Sequence, residues 1–195
     1  MRKIRVLDNV YDLITINMED RFKDNVAFRF YDTANDAVTT ILYKDYVQDI
    51  RKAVNYFQST IPEIKGKKIC LLTKNSYEYA VNTFGVVAAG AVLVLLNQRK
   101  SWDELSYELG LVEPDAILTD GDDYGFNDQL KAAYGDILRP IDGFRNYEPA
   151  QLTRCIDHEA LMVLMFTSGT TGRSKGVMLS EKNFFSVMRA HTQIG

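Results

Sequence analysis

Apolar positions along this chain fall first into a helical period, then into alternation, then into short unbroken runs. From Asn9 to Met18, Val10, Leu13, Ile14 and Met18 recur at helical spacing and leave one wet face. Val26, Phe28 and Phe30 alternate with Ala27, Arg29 and Tyr31, which is strand spacing. The polar segment Asp32 to Asp36 predicts a turn into a second strand over Ala37 to Leu42, closing a hairpin. Tyr43, Val47, Ile50, Val54 and Phe57 then share one face of a helix.

After Gly66 the pattern shortens. Lys68 to Leu72 is an apolar strand candidate, and Asn75-Ser76 can cap a helix from Tyr77 to Ala89 that Gly90 ends. Ala91 to Leu96 is an unbroken apolar run, suited to a strand covered on both faces. Ser101-Trp102-Asp103-Glu104 is a capping box, and the helix it opens is expected to stop at Gly110. Asp115 to Thr119 predicts a strand, Asn127 to Tyr134 a helix, Asp136 to Arg139 a weak strand, and Leu161 to Phe166 the strongest strand of all. Residues 141 to 158 are polar and irregular and read as a surface excursion. Strands separated by helix-length segments indicate βαβ units: an α/β fold with a mainly parallel sheet flanked by helices. Residues 1–66 form a lead-in of helix, hairpin and helix, and 67–195 an α/β subdomain. In such sheets ligands gather outside the carboxyl ends of the strands.

Composition removes several classes of function. With 46% hydrophobic and 25% charged residues the chain has material for a core, which argues against disorder. A net charge of −3 supplies no electrostatic footprint for nucleic acid, so no nucleic-acid partner is expected. The most hydrophobic stretch, Phe84 to Leu96, is too short to span a bilayer and contains Gly85 and Gly90. No transmembrane segment is expected, and a cytoplasmic location is the default. Cys70 and Cys155 show neither a pairing framework nor metal-ligand spacing, and Cys70 sits in an apolar run as a small buried hydrophobe. His158 and His191 belong to no ligand cluster, so no metal-binding residue is assigned. The acidic run Asp120 to Asp123 reads as a solvated turn. Trp102 and Phe184-Phe185 read as packing residues.

The chemistry lies just after the strongest strand. Leu161 to Phe166 runs into Thr167-Ser168-Gly169-Thr170-Thr171-Gly172-Arg173-Ser174-Lys175-Gly176, and the apolar Val177-Met178-Leu179 follows. The glycines let the main chain approach a ligand closely. Thr167, Ser168, Thr170, Thr171 and Ser174 offer short neutral donors, and successive backbone N–H groups can converge on an anion. Lys175 adds a mobile positive charge suited to phosphate oxygens. A flexible linker of the same composition would not need a buried strand before it or its one lysine between Ser174 and Gly176. The P-loop of nucleotide triphosphatases requires Gly-Lys-Ser/Thr opening a helix, and that rule fails here.

The run Phe166 to Val177 resembles the signature phosphate-binding loop of the adenylate-forming enzyme superfamily, whose pattern is close to Ser/Thr-Ser-Gly-Thr-Thr-Gly-x-Pro/Ser-Lys-Gly. Serine stands at 174, where proline is commoner. Tyr43-Lys44-Asp45-Tyr46 resembles the family's Thr-Tyr-x-Glu-Leu segment, and Gly85 to Asn97 its Ala-x-x-x-Ala-Gly-Ala-x-x-x-x-x-Asn segment. Glu181 departs from the histidine that many acyl-CoA synthetases carry after the Leu-Ser pair.

The resemblance implies that a carboxylate attacks the α-phosphorus of ATP, and that a thiol then takes the acyl group. That thiol is coenzyme A or a carrier-protein pantetheine. Magnesium (Mg2+) shares the phosphate charge. Thr167, Ser168, Gly169, Thr170, Thr171, Gly172 and Lys175 are the implied phosphate contacts, and no catalytic residue is assigned. The Leu95-Leu96-Asn97-Gln98-Arg99 segment with Ser101 to Leu105 is more similar to acyl-CoA synthetases than to amino-acid adenylation domains. The substrate implied is a fatty or other organic acid. An α/β enzyme rarely ends one helix beyond its phosphate loop, so the sequence reads as the front part of a longer ligase, inactive alone. The alternatives are an amino-acid adenylation domain loading a carrier protein, and a non-catalytic interaction domain derived from a ligase.

Overall fold

A computed structural model describes residues 7–32, 36–154, 157–167 and 173–192. Helix α1 (Val10–Asp12) is capped by Asn9, whose side-chain oxygen accepts from the Asp12 N–H at 2.7 Å. It continues over Leu13–Arg21 in a wider, π-type winding, and the Phe22 N–H donates to the carbonyl of Asn17, five residues back, at 2.8 Å. The helical period predicted to Met18 thus persists to Arg21. β1 (Val26–Asp32) and β2 (Ala37–Leu42) pair antiparallel as the expected hairpin, and α2 (Tyr43–Thr60) follows without a break.

The remaining strands make one sheet. In chain order they alternate with helices: β3 (Lys68–Leu72), α3 (Tyr77–Ala88), β4 (Val92–Leu95), α4 (Trp102–Val112), β5 (Ala116–Thr119), α5 (Asn127–Tyr134), β6 (Leu138–Pro140), β7 (Leu161–Thr167), β8 (Lys175–Ser180) and α6 (Glu181–Thr192). The spatial order is β6-β5-β3-β4-β7-β8, and every neighbouring pair is parallel except β7 with β8. Alternation along each strand feeds two separate cores. Ile69, Leu71, Leu93, Ala116 and Leu118 pack with α2 and α3 residues such as Ile50, Ala53, Phe57 and Val86. Cys70, Leu72, Val92, Val94 and Ile117 pack with Leu105, Leu109 and Leu130 of α4 and α5. Helices therefore cover both faces, as the unbroken apolar runs predict. Among the described residues no helix is long and apolar enough to cross a membrane.

Three expectations are corrected. α4 does not stop at Gly110 but runs to Val112, because Leu109 and Val112 are both buried. It ends at Glu113, in left-handed conformation (φ 49°), directly before Pro114, which disfavours helix in the residue preceding it. The weak strand begins at Leu138 rather than Asp136, since Gly135–Ile137 closes a 3-10 turn at the end of α5. The irregular segment after Ile141 is more than a surface excursion. Phe144 is fully buried, Ile141 and Leu152 are buried, and Arg51 of α2 donates to the Ala150 carbonyl at 3.1 Å. These apolar residues occur singly, with no period to announce them. Cys155 lies outside the described residues.

The sheet has a crevice where its connections diverge: α3 leads from β3 to one side, and α5 leads from β5 to the other. Such a switch point is the usual ligand site in parallel sheets. Here it is closed. Asp120 accepts from the Lys74 N–H at 2.9 Å, from the Asp122 N–H at 3.1 Å and from the Tyr124 hydroxyl at 2.6 Å, while the Lys74 ammonium pairs with Asp122. Burial pushes the Asp120 carboxyl up, but these hydrogen bonds outweigh it and hold the carboxyl below its ordinary value.

α2 and α3 approach closely at Gly85, where an added Cβ would lie 2.5 Å from the Ala53 Cβ. Gly85→Ala should lower stability by about 1–3 kcal/mol through overpacking, despite a helix-propensity gain of about 1 kcal/mol. Adding Ala53→Gly should restore most of it, as read by urea denaturation. For Asp120 the sign follows from its lowered value: its stabilisation is complete above about pH 4 and is lost as pH falls through the folded value. Asp120→Asn should therefore be less stable than wild type at pH 7, with the gap narrowing at pH 3.

Candidate phosphate-binding site

β7 ends at Thr167 and β8 begins at Lys175, and these two residues are register partners across the antiparallel pair. The Thr167 hydroxyl lies 3.5 Å from the Lys175 carbonyl oxygen. The connecting loop is thus closed at its base by strand pairing, at the carboxyl end of a parallel strand. Of the residues implied as phosphate contacts, Thr167 and Lys175 are brought together and both are exposed. Ser168, Gly169, Thr170, Thr171 and Gly172 lie outside the described residues. The Lys175 ammonium has no ion-pair partner among the described residues. Gly176 follows in β8, where an added Cβ would make only ordinary contact with Phe166 at 3.8 Å.

The loop's exit rests on α4. Arg173 stacks over the Tyr107 ring at 5.1 Å, and the Ser174 hydroxyl oxygen lies 3.1 Å from the Lys100 ammonium. Lys100 in turn pairs with Glu108, whose side chain is 0% exposed. The Lys100 ammonium also sits 6.0 Å from the centre of the Phe166 ring. Local chain geometry explains how Lys100 arrives there. β4 lies beside β7 in parallel, with Leu95 opposite Met165, so their carboxyl ends are adjacent. Asn97 then turns the chain: its side-chain oxygen accepts from the Arg99 N–H at 2.9 Å and its carbonyl from the Lys100 N–H at 3.2 Å. The capping box follows, with the Ser101 N–H donating to Glu104 at 3.1 Å.

Lys100, Tyr107 and Glu108 are not among the residues singled out by motif. One signal was present: Glu108 occupies the apolar face of α4 with Leu105, Leu109 and Val112, where a charge is out of place unless paired. Other sequence features resolve as packing. Phe185 is fully buried while Phe184 is partly exposed, and Trp102 sits against Phe126 at 6.1 Å. Glu181 accepts from the Val10 N–H at 2.9 Å, tying the start of α6 to α1. A cavity of about 230 Å³ beside Glu181, Leu152 and Val10 reaches Ala91 and Leu161, at the amino ends of β4 and β7, away from the loop.

A family model described as "AMP-binding enzyme" matches residues 18–194. A 2-succinylbenzoate–CoA ligase of Bacillus cereus is 31% identical over 122 residues, 63% of this chain and 24% of the relative. The chain thus spans about a quarter of the length of the curated relatives it matches. ATP-bound MatB from Rhodopseudomonas palustris superposes with a TM-score of 0.76 at 24% identity, covering 92% of this chain and 36% of that one. The N-terminal subdomain of Klebsiella oxytoca NpsA, in complex with 3-hydroxybenzoyl-AMSN, gives 0.72 at 19% identity, covering 90% and 41%. At these identities the structural likeness is one of fold.

Lys175 is exposed and has no ion-pair partner among the described residues. Lys175→Met should leave stability within about 0.5 kcal/mol of wild type in urea denaturation.

Proposed function

This chain belongs to the AMP-binding enzyme family, and we propose that it supplies the phosphate-binding part of an ATP-dependent acyl-activating ligase. In this reading a carboxylate oxygen attacks the α-phosphorus of ATP. The bond between that phosphorus and the bridging oxygen breaks, and pyrophosphate leaves with the electron pair. A thiol, most naturally coenzyme A, then displaces AMP from the acyl-adenylate.

The observation that carries the reading is the pairing of Thr167 with Lys175 at the carboxyl end of β7, with a glycine- and hydroxyl-rich sequence between them and no ion-pair partner for Lys175 among the described residues. Phosphoryl transfer needs little covalent help from the protein. Its demands are positioning and charge neutralisation. Thr167, Ser168, Gly169, Thr170, Thr171, Gly172 and Lys175 would hold the β- and γ-phosphates, the departing group. Lys175 stabilises charge there and is not a nucleophile. Magnesium would accompany the ATP. Among the described residues no cluster of three or more His, Cys, Asp or Glu could hold a metal ion. A relative named as a CoA ligase favours an organic acid and coenzyme A over an amino acid and a carrier protein.

The test is ATP–pyrophosphate exchange with a panel of carboxylates, on the 195-residue chain and on the longest protein its gene encodes. We expect exchange from the latter with at least one acid, and none from the former. Lys175→Met should lower that exchange about 10- to 100-fold, the size of a lost charge-assisted hydrogen bond. Exchange by the short chain would overturn its inactivity. Silence from both would favour a non-catalytic interaction domain. Coenzyme A and a pantetheinylated carrier, offered as acceptors, separate the two thiol readings.

A further inference from the structure

We propose that Lys100 is a positioning residue for the phosphate loop: anchored on the buried Glu108, it holds the loop's exit through Ser174. The inference deepens the function proposed above and rests on it for its consequence, though not for its geometry.

Lys100 has little freedom at its backbone. The Asn97 turn precedes it and the Ser101 capping box follows it. Its stem is largely covered, with 17% of the side chain exposed, and its ammonium meets three groups: Glu108, Ser174 and the face of Phe166. Glu108 explains why the ammonium stays. A carboxylate with 0% exposure must be paired, and Lys100 is its ion-pair partner. Its second oxygen, Oε2, has no hydrogen-bond partner among the described residues, which makes the pairing through Oε1 the more costly to lose.

A second contact points the same way. Arg173, next to Ser174, stacks on Tyr107, next to Glu108. Two consecutive loop residues are therefore tied to neighbouring residues of α4, Arg173 directly to Tyr107 and Ser174 through Lys100 to Glu108, while strand pairing at Thr167 and Lys175 closes the base. Position 174 is also where the resembling loop pattern more often has proline, which restrains its own backbone covalently. Here a hydroxyl held by a buried ion pair supplies restraint from outside. A loop held in its binding shape loses less entropy when it closes on a polyphosphate. The charge of Lys100 is committed to Glu108, whereas Lys175 has no ion-pair partner among the described residues.

The test is hydrogen exchange by mass spectrometry on peptides covering residues 166–176, without nucleotide. Lys100→Met and Ser174→Ala should each raise exchange there about 5- to 10-fold, the fold-change of one hydrogen bond. Peptides from α2 and β3 should not change. Combining the two substitutions should raise exchange no further than the larger single effect, because both break one link. Lys44→Met, in an exposed pair with Asp24, is the control. Should Lys100→Met unfold by stranding Glu108, Lys100→Met/Glu108→Gln removes both charges, and Ser174→Ala leaves the pair intact. Unchanged loop exchange in Ser174→Ala, or fully additive effects, would overturn the proposal. Slowing of the same peptides by ATP in the longest gene product tests the phosphate-binding reading separately. Its absence would sink that reading and leave the Lys100 link standing.

Discussion

A parallel strand whose side chains point alternately into two dry layers cannot be left open on either side, and the rest of this molecule follows from that constraint. Ile69 and Leu71 of β3 face one core, and Cys70 and Leu72 face the other. Each face must then be covered by a helix carrying its own apolar stripe, and every crossover must return the chain to the same end of the sheet. The loops at the carboxyl ends lead into helix N-termini, where backbone N–H groups remain free to meet a ligand. The crevice between β3 and β5 would normally receive it. There the Asp120 carboxylate is engaged by three hydrogen bonds from within the protein. The glycine-rich loop sits instead two strands away, after β7.

At the loop, the cations near the chemistry divide by commitment. Lys100 is bound to a fully buried carboxylate, which neutralises its charge, while Arg173 rests on an aromatic face that leaves its charge intact. Lys175 is exposed and has no carboxylate partner among the described residues. A polyphosphate needs a cation whose charge has not already been neutralised, and a loop that does not have to be organised from a flexible coil. The two requirements are met by different residues, and α4 links them.

Much of the fold was legible because the chain's periods are clean. β2, β3 and α5 match their predicted bounds, since alternation, an apolar run and a helical stripe are each bounded by polar or turn residues. The misses have physical causes. Gly110 is a poor helix former, but the burial of Leu109 and Val112 on either side outweighs its propensity. Phe144 is buried without belonging to any periodic element, so no window could announce it. The strand that leads into the loop was legible as an apolar run, and residues 168–172 lie outside the described residues. The loop's support was not legible, because Lys100 and Glu108 meet Ser174 only after β4 and β7 come side by side. Glu108 could have raised a question, as a charge on an apolar helix face, but its answer lies 74 residues from Lys100 to Ser174 along the chain.

The direction of β8 decides what kind of phosphate site this can be. In a P-loop the strand passes into a helix, and the helix N-terminus with its dipole faces the anion. Here the chain reverses, and Lys175 opens an antiparallel strand. Had β8 been parallel, a crossover would have delivered its first residue to the opposite end of the sheet, far from Thr167. Reversal returns the lysine to the end it left, one strand spacing from the threonine. No helix opens directly from this loop, so in the proposed role anion binding would fall to loop amides, hydroxyls and an ammonium. Such a site depends on the shape of its loop more than a helix-capped site does. That dependence gives a physical reason for two clips from α4 at residues 173 and 174, on the side of the loop where strand pairing has only just begun.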